Sequence, residues 1–387
     1  MSEVKNIDNL FVANTYARFP VEIISGKGSL CYDENGKEYI DLGTGIGVTA
    51  FGFCDDEWNN AVIEQLNKVQ HTSNLYYTAP CAQLAKKICQ KTGMSKVFFA
   101  NSGAEANECA IKVARRYGEK TKGKDCFNIV TLVNSFHGRT LTTLSATGQD
   151  KFHELFNPLT PGFKHAIAND IESLTNAVDD TVCAVMIEGV QGEGGVIALD
   201  KEFVQFAREI AEKYGILLIF DEVQTGNGRT GTLYCYEQYG VKPDLFTTAK
   251  GLGGGLPIGA CVMSEKTEKI LGFGDHGSTF GGNPVCCAGA ISVIDRINEK
   301  LLNEVKEKSK YIFDELSNAN GVESVSGLGL MIGIKTVKPA KEVLQICRNN
   351  GVLCLTAKDK VRLLPALNIP FELLIKAVQV IKNACKE

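Results

Sequence analysis

The sequence predicts an α/β fold: a mostly parallel sheet in a large unit, joined to a smaller α/β unit. Three observations lead there. Through the middle of the chain, short apolar runs alternate with helical stretches, as in a sheet covered on both faces. After Pro284 the texture changes to one long helical stretch followed by short, glycine-marked strands. The 387 residues also exceed the roughly 250–300 at which a single core stops growing.

The first fifty residues read as irregular and β structure, and we expect 1–50 to join the small unit, with 51–283 forming the large one. Within the large unit the strand candidates are Lys96–Ala100, Ile129–Val133, Val182–Ile187, Ile216–Phe220, Leu245–Thr248 and Gly259–Met263. Helices are expected between them. Ala106, Cys109, Ala110, Val113 and Ala114 fall on one helical face, and Phe203–Tyr214 is a second amphipathic stretch. The small unit, 284–387, should open with a helix carrying Ile294, Ile297, Leu301 and Val305. A strand through Gly327–Ile334, a helix closing at Asn350-Gly351, and two strands near Leu353 and Leu363 should follow. A last helix would hold Leu374, Ala377, Val378 and Ile381.

Composition narrows the possible functions. Hydrophobic residues are 44% and charged residues 22%, which suits a packed globular protein and excludes a disordered one. Lysine and arginine number 41 against 45 aspartate and glutamate, a net charge of −4. That balance gives neither the basic footprint of a nucleic-acid binder nor a polybasic membrane patch. Glu3, Lys5 and Asp8 interrupt any apolar core of a signal peptide. The fourteen cysteines form no C-x-x-C pair, and most, such as Cys109, Cys183, Cys261, Cys286 and Cys287, sit among apolar or small residues. They read as reduced, buried thiols of a cytoplasmic protein. No two of the five histidines have metal-ligand spacing, so no metal is expected.

The chemistry is suggested by position. Nearly every strand of the middle region runs straight into small or reactive residues. These are Asn101-Ser102-Gly103-Ala104-Glu105, then Phe136-His137-Gly138-Arg139, then Glu188 with Gln191 to Gly195, then Asp221-Glu222-Val223-Gln224, and finally Lys250-Gly251. Ligands of open α/β sheets bind beyond the carboxyl ends of the strands, so five such clusters imply one site. Each alone has an ordinary structural use. Ser102 with Glu105 fits a capping box, although the same helix start can hold a phosphate. Lys250 could be a solvated lysine and Asp221 a loop cap. His137 reads most simply as structural.

Three glycine-rich runs imitate nucleotide-binding loops. Gly118 to Lys124 approaches a P-loop, but Asp125 stands where Ser or Thr should bind magnesium, and the run follows a helix. Gly226-Asn-Gly-Arg-Thr-Gly231 matches G-x-G-x-x-G but lies behind two carboxylates, and Gly251–Gly255 lacks the third glycine.

A lysine for a Schiff base, a carboxylate for a pyridinium nitrogen, a helix start for a phosphate and a ring face to stack on are what pyridoxal phosphate requires. Lys250 and Asp221 each stand at a strand end. The runs F-A-N-S-G-A-E-A-N-E, S-F-H-G-R-T, E-G-V-Q-G-E-G-G, I-F-D-E-V-Q-T-G, A-K-G-L-G-G-G-L-P-I-G-A and G-S-T-F-G-G-N-P, with N-T-Y-A-R-F-P at Asn14–Pro20 and V-R-L-L-P-A-L-N-I around Arg362, resemble class III aminotransferases of fold type I. The resemblance runs from Asn14 to the last helix. Two departures stand out. Gly52-Phe53-Cys54-Asp55-Asp56-Glu57 replaces the usual G-H-x-H-P, and Asn227 replaces an apolar residue in G-x-G-R-T-G.

The resemblance implies that Lys250 carries pyridoxal 5'-phosphate and shuttles the proton, while Asp221 keeps the ring nitrogen protonated. It implies that Val223 and Phe136 pack the two ring faces and that Gln224 bonds the phenolic oxygen. Ser102, Gly103 and Ala104 would hold the phosphate, with Glu188 and Glu222 in the cofactor's surroundings. Thr279 would cross a dimer interface to the partner's cofactor. Arg139 and Ser278 would bind the remote end of the substrate, and Glu193 with Arg362 would form a switch. The expected reaction is ping-pong transfer of the δ-amine of N-acetylornithine to 2-oxoglutarate. Ornithine, succinylornithine and 4-aminobutyrate are alternative donors, and a pyridoxal-phosphate-binding regulator without turnover is a remote alternative.

Overall fold

The computed structural model describes residues 3–386; Met1, Ser2 and Glu387, at the outer ends of the expected terminal units, lie outside the described residues. Its centre is a seven-stranded sheet. In chain order the strands are β1 (Lys96–Ala100), β2 (Asn128–Leu132), β3 (Phe163–Ala166), β4 (Val182–Ile187), β5 (Leu217–Asp221), β6 (Leu245–Thr248) and β7 (Gly259–Met263). Their spatial order is β1-β7-β6-β5-β4-β2-β3. Only β7 runs antiparallel to its neighbours, so the other six all end at one edge.

Four of the six expected strands have the expected bounds, and β2 and β5 are shifted by one residue. The shift in β5 matters, because Asp221 becomes its last residue, paired with Thr247. Strand β3 was missed. It sits at the sheet edge, and Phe-Lys-His-Ala lacks the continuous apolar character of a strand buried on both sides. That character is clear in β5, where Leu217 and Ile219 face one core cluster and Leu218 and Phe220 the other.

The C-terminal region departs from expectation at two points. The single helix after Pro284 is two, Pro284–Arg296 and Glu299–Leu316, because Asn298 caps the second by accepting the Leu301 N–H. The first of them packs on Asp56–Leu66 and Ala79–Thr92. The single expected strand is a hairpin, Val322–Leu328 and Met331–Thr336, turning at Gly329, whose φ of 56° suits glycine. Lys360–Leu363 and Leu355–Ala357 complete an antiparallel sheet, with Arg362 opposite Gly333. A separate sheet pairs Glu38–Asp41 from the N-terminal region with Val352–Leu353. One apolar cluster runs from a face of the seven-stranded sheet into this C-terminal unit, so the strand bearing Arg362 is packed firmly beside the sheet.

Candidate active site

Beyond the carboxyl edge of the sheet lies a cavity of about 470 Å³. Its lining includes Ser102, Gly103 and Ala104 after β1, Phe136 to Arg139 after β2, Glu188 after β4, Asp221, Val223 and Gln224 around the end of β5, and Lys250 after β6. All five expected clusters meet there.

The helix Gly103–Lys122 begins at the cavity with Ser102 as its cap, the hydroxyl accepting the Glu105 N–H at 3.2 Å. The N–H groups of Gly103 and Ala104, like those opening any helix, have no partner within the helix and carry its positive dipole end. Glu105 does not oppose an anion there as directly as the sequence suggests. Its carboxylate turns back to accept from the Asn101 N–H and side-chain amide, at 2.8 and 3.0 Å. Gly103 must be glycine, because a β-carbon would come within 2.6 Å of Val223. The helix start is thereby set directly against the residue expected under a ring.

Asp221 is held from three sides. Its Oδ2 accepts from Nδ1 of His137 at 2.7 Å and from the Asn107 amide at 2.8 Å, while Oδ1 accepts the Val223 N–H. The Thr247 hydroxyl donates to Asn107, fixing which way that amide faces. Burial pushes the His137 pKa down, but the bond and charge of Asp221 outweigh it and hold the pKa above the ordinary value. His137 and Asn107 are functional neighbours that sequence reasoning missed. Asn107 offered a signal: it is a polar residue on the buried face, otherwise made of apolar and small residues, of an amphipathic helix.

Lys250 has φ of 45° and is only partly buried, at the cavity wall. Desolvation lowers its pKa to about 8; Glu193 and Asp221 oppose that change and Arg362 adds to it. Glu188 accepts the Phe136 N–H at 2.9 Å, and burial pushes its pKa upward. Arg139 is exposed at the cavity, its guanidinium 4.4 Å from the ring centre of Phe152 and 5.6 Å from that of Phe136. Arg362 is buried and ion-paired to Glu193; it also donates to Gln224 at 3.2 Å, and its Nε meets no acceptor. Burial raises the Glu193 pKa, but Arg362 more than reverses this and keeps it low. Gly192 lets this network close, since a β-carbon there would lie 2.5 Å from the Gln224 side chain.

Five expected residues lie off the cavity lining: Glu193 and Arg362, which meet it through their bonds to Gln224, and Glu222, Ser278 and Thr279. Glu222 follows the last residue of β5, and the alternation of extended chain turns it to the other side. It is buried, accepts from the Thr225 hydroxyl and the Tyr236 N–H, and burial pushes its pKa up to about 7. The Ser278 hydroxyl is engaged by the Asn101 amide and the Gly281 N–H. Thr279 is exposed outside the cavity. Among the described residues, no group of three His, Cys, Asp or Glu side chains is arranged to hold a metal ion, and no helix is long and apolar enough to cross a membrane.

Comparison with known proteins decides the family. The class-III aminotransferase family matches residues 11–385. The chain belongs to the class-III aminotransferases. It is 48% identical over 388 residues to an acetylornithine aminotransferase of Haemophilus ducreyi, covering 100% of this chain and 99% of that one. It is 44% identical to an acetylornithine aminotransferase of Methanocaldococcus jannaschii over 95% of this chain and 94% of that one. Among solved structures, an ornithine aminotransferase from Toxoplasma gondii superposes with a TM-score of 0.95 at 30% identity, covering 99% of this chain and 94% of that one. An N-acetylornithine aminotransferase from Stenotrophomonas maltophilia gives 0.85 at 32% identity, covering 98% and 97%. The fold-type-I expectation therefore holds for this class-III aminotransferase, and its family implies a pyridoxal phosphate cofactor. The cavity suits that group, with a bare helix start, two apolar walls, a fixed carboxylate and a lysine of lowered pKa.

Proposed function

We propose that the chain transfers the δ-amino group of N2-acetyl-L-ornithine to 2-oxoglutarate, giving N-acetylglutamate 5-semialdehyde and glutamate, a step of arginine biosynthesis in the cytoplasm. The observation that carries this is the pairing of Lys250 with a pinned Asp221 in one cavity, with Arg139 open at its wall and Arg362 masked by Glu193 behind Gln224.

Lys250 would hold the cofactor, Asp221 its ring nitrogen, Val223 and Phe136 its faces, Gln224 its phenolic oxygen, and Ser102, Gly103 and Ala104 its phosphate. Once bound, pyridoxal phosphate supplies an electron sink for the carbon that bears the reacting amine. Asp221, accepting from His137 and Asn107, keeps its carboxylate fixed where it can stabilise a protonated ring nitrogen. Lys250, with its pKa lowered to about 8, can give and take a proton at that carbon near neutral pH. Arg139 takes the donor's distant carboxylate. Arg362 takes the α-carboxylate of glutamate once Glu193 moves aside, because a guanidinium binds a carboxylate bidentately.

Relatives named acetylornithine aminotransferase support the donor. A second reading, ornithine as donor, is favoured by the likeness to the ornithine aminotransferase structure. Steady-state kinetics on acetylornithine, succinylornithine, ornithine and 4-aminobutyrate, each with 2-oxoglutarate, tests the choice. Acetylornithine should give the highest kcat/KM; a higher value for ornithine would transfer the assignment to the second reading.

The active unit on this reading is a homodimer. The 70–77 and 278–283 segments are tied together, with the Asn74 amide donating to the carbonyls of Ser278 and Gly281 and the His71 ring 5.2 Å from Phe280. Together they expose Leu75, Tyr76, Tyr77 and Phe280, an apolar surface of the kind that marks an interface. Thr279 lies within it, and on this reading it would reach a partner's phosphate site.

A further inference from the structure

Asn227 departs from the apolar residue usual in its motif. It is buried, with φ of 57°, in the loop that leaves β5. Its Nδ2 donates to the Thr248 hydroxyl at 2.9 Å and to the Ala249 carbonyl at 3.2 Å. Its Oδ1 is buried and meets no donor. Burying an amide with an idle acceptor costs stability that an apolar side chain of similar size would not cost. Both bonds that it does make end on the residues directly before Lys250.

That stretch of backbone is strained. Lys250 occupies the left-handed region, which a residue with a β-carbon holds only when its surroundings enforce it. The Ala249 carbonyl belongs to the peptide that leads into Lys250, so a donor fixed on that oxygen limits rotation at the Lys250 φ. Asn227 is itself well anchored. Gly226 donates to the Glu222 carbonyl at 3.0 Å, and the buried Arg229 donates to the Leu330 and Pro365 carbonyls of the C-terminal unit.

We propose that Asn227 is a positioning residue for Lys250: its amide clamps the Ala249–Lys250 peptide so that the left-handed backbone presents the lysine amine to the cavity. The inference rests on the reading that Lys250 carries the cofactor, and it adds a residue outside the cavity wall to the machinery that serves it.

The test compares wild type, Asn227→Leu and Thr248→Val as cofactor-free proteins. Stopped-flow absorbance would follow the capture of added pyridoxal phosphate by the lysine, and the loaded proteins would be titrated spectroscopically with pH. Melting temperature of the cofactor-free proteins gives the structural control. Asn227→Leu should slow capture at least tenfold and displace the pH midpoint of the visible band; melting should fall by what a leucine at a φ of 57° costs, so capture and titration carry the test. Thr248→Val, which keeps the Ala249 bond, should have a smaller effect in the same direction and serves if Asn227→Leu does not fold. Wild-type capture rates and pH midpoints in both variants, or a fall in melting temperature alone, would reduce Asn227 to a packing residue and overturn the proposal while leaving the parent reading intact. A wild type that captures no cofactor would end both.

Discussion

Lys250 shows at the scale of one residue how burial produces reactivity. A lysine amine attacks an aldehyde only when neutral, and in water that form is rare below pH 9. Desolvation at the cavity favours the neutral form and brings the pKa from 10.5 to about 8. The sign is plain: below the pKa the reactive fraction rises tenfold per pH unit, and above it the fraction levels off. Capture of pyridoxal phosphate by the cofactor-free protein should therefore climb steeply to about pH 8 and flatten beyond. A rate still climbing tenfold per unit at pH 9.5 would show an ordinary, solvated lysine. Lys250 and Asp221 were legible in the sequence because strand ends of an open sheet converge. His137 and Asn107 were not, because their role comes from bonds to Asp221 across 84 and 114 residues of chain. Glu222 misled because the sequence offers two adjacent carboxylates and only the pleat decides which one faces the cavity.

Among elements, the continuous apolar strands announced themselves, since burial on both faces leaves no room for polar residues. Edge strand β3 and the hairpin at Gly329 were obscured, because an exposed strand and a tight turn depend on neighbours that the chain reaches only in three dimensions. The joining of the Glu193 loop to the Arg362 strand, 169 residues apart, is likewise a product of packing between units. It also makes a kinetic prediction. If Glu193 masks Arg362 while the donor is bound and releases it for glutamate, Arg362→Ala should slow the glutamate half-reaction about 10- to 150-fold more than the acetylornithine half. That range corresponds to one charged contact of about 1.5–3 kcal/mol. Glu193→Ala should leave the glutamate half intact or faster. Single-turnover absorbance changes measure each half separately, and equal slowing of both halves in both variants would make the pair a static support.

At the scale of the whole molecule, the exposed apolar side chains of Leu75, Tyr76, Tyr77 and Phe280 form the surface proposed as a dimer interface. Sedimentation should give a dimer at micromolar concentration. Tyr77→Glu should weaken it by placing a charge in the interface, with activity falling as the protein is diluted. A fully active monomer would contradict the role proposed for Thr279. No composition statistic could have shown this surface, because it is assembled from two segments about 200 residues apart and held by Asn74.

All these readings meet at one bond, between the chain and its cofactor. The most direct measurement is borohydride reduction of the pyridoxal-phosphate-loaded protein, followed by proteolysis and mass mapping of the labelled peptide. The account predicts a single label on Lys250, and a Lys250→Ala protein that is colourless and unlabelled. A label on any other lysine, or an undiminished label in Lys250→Ala, would contradict it.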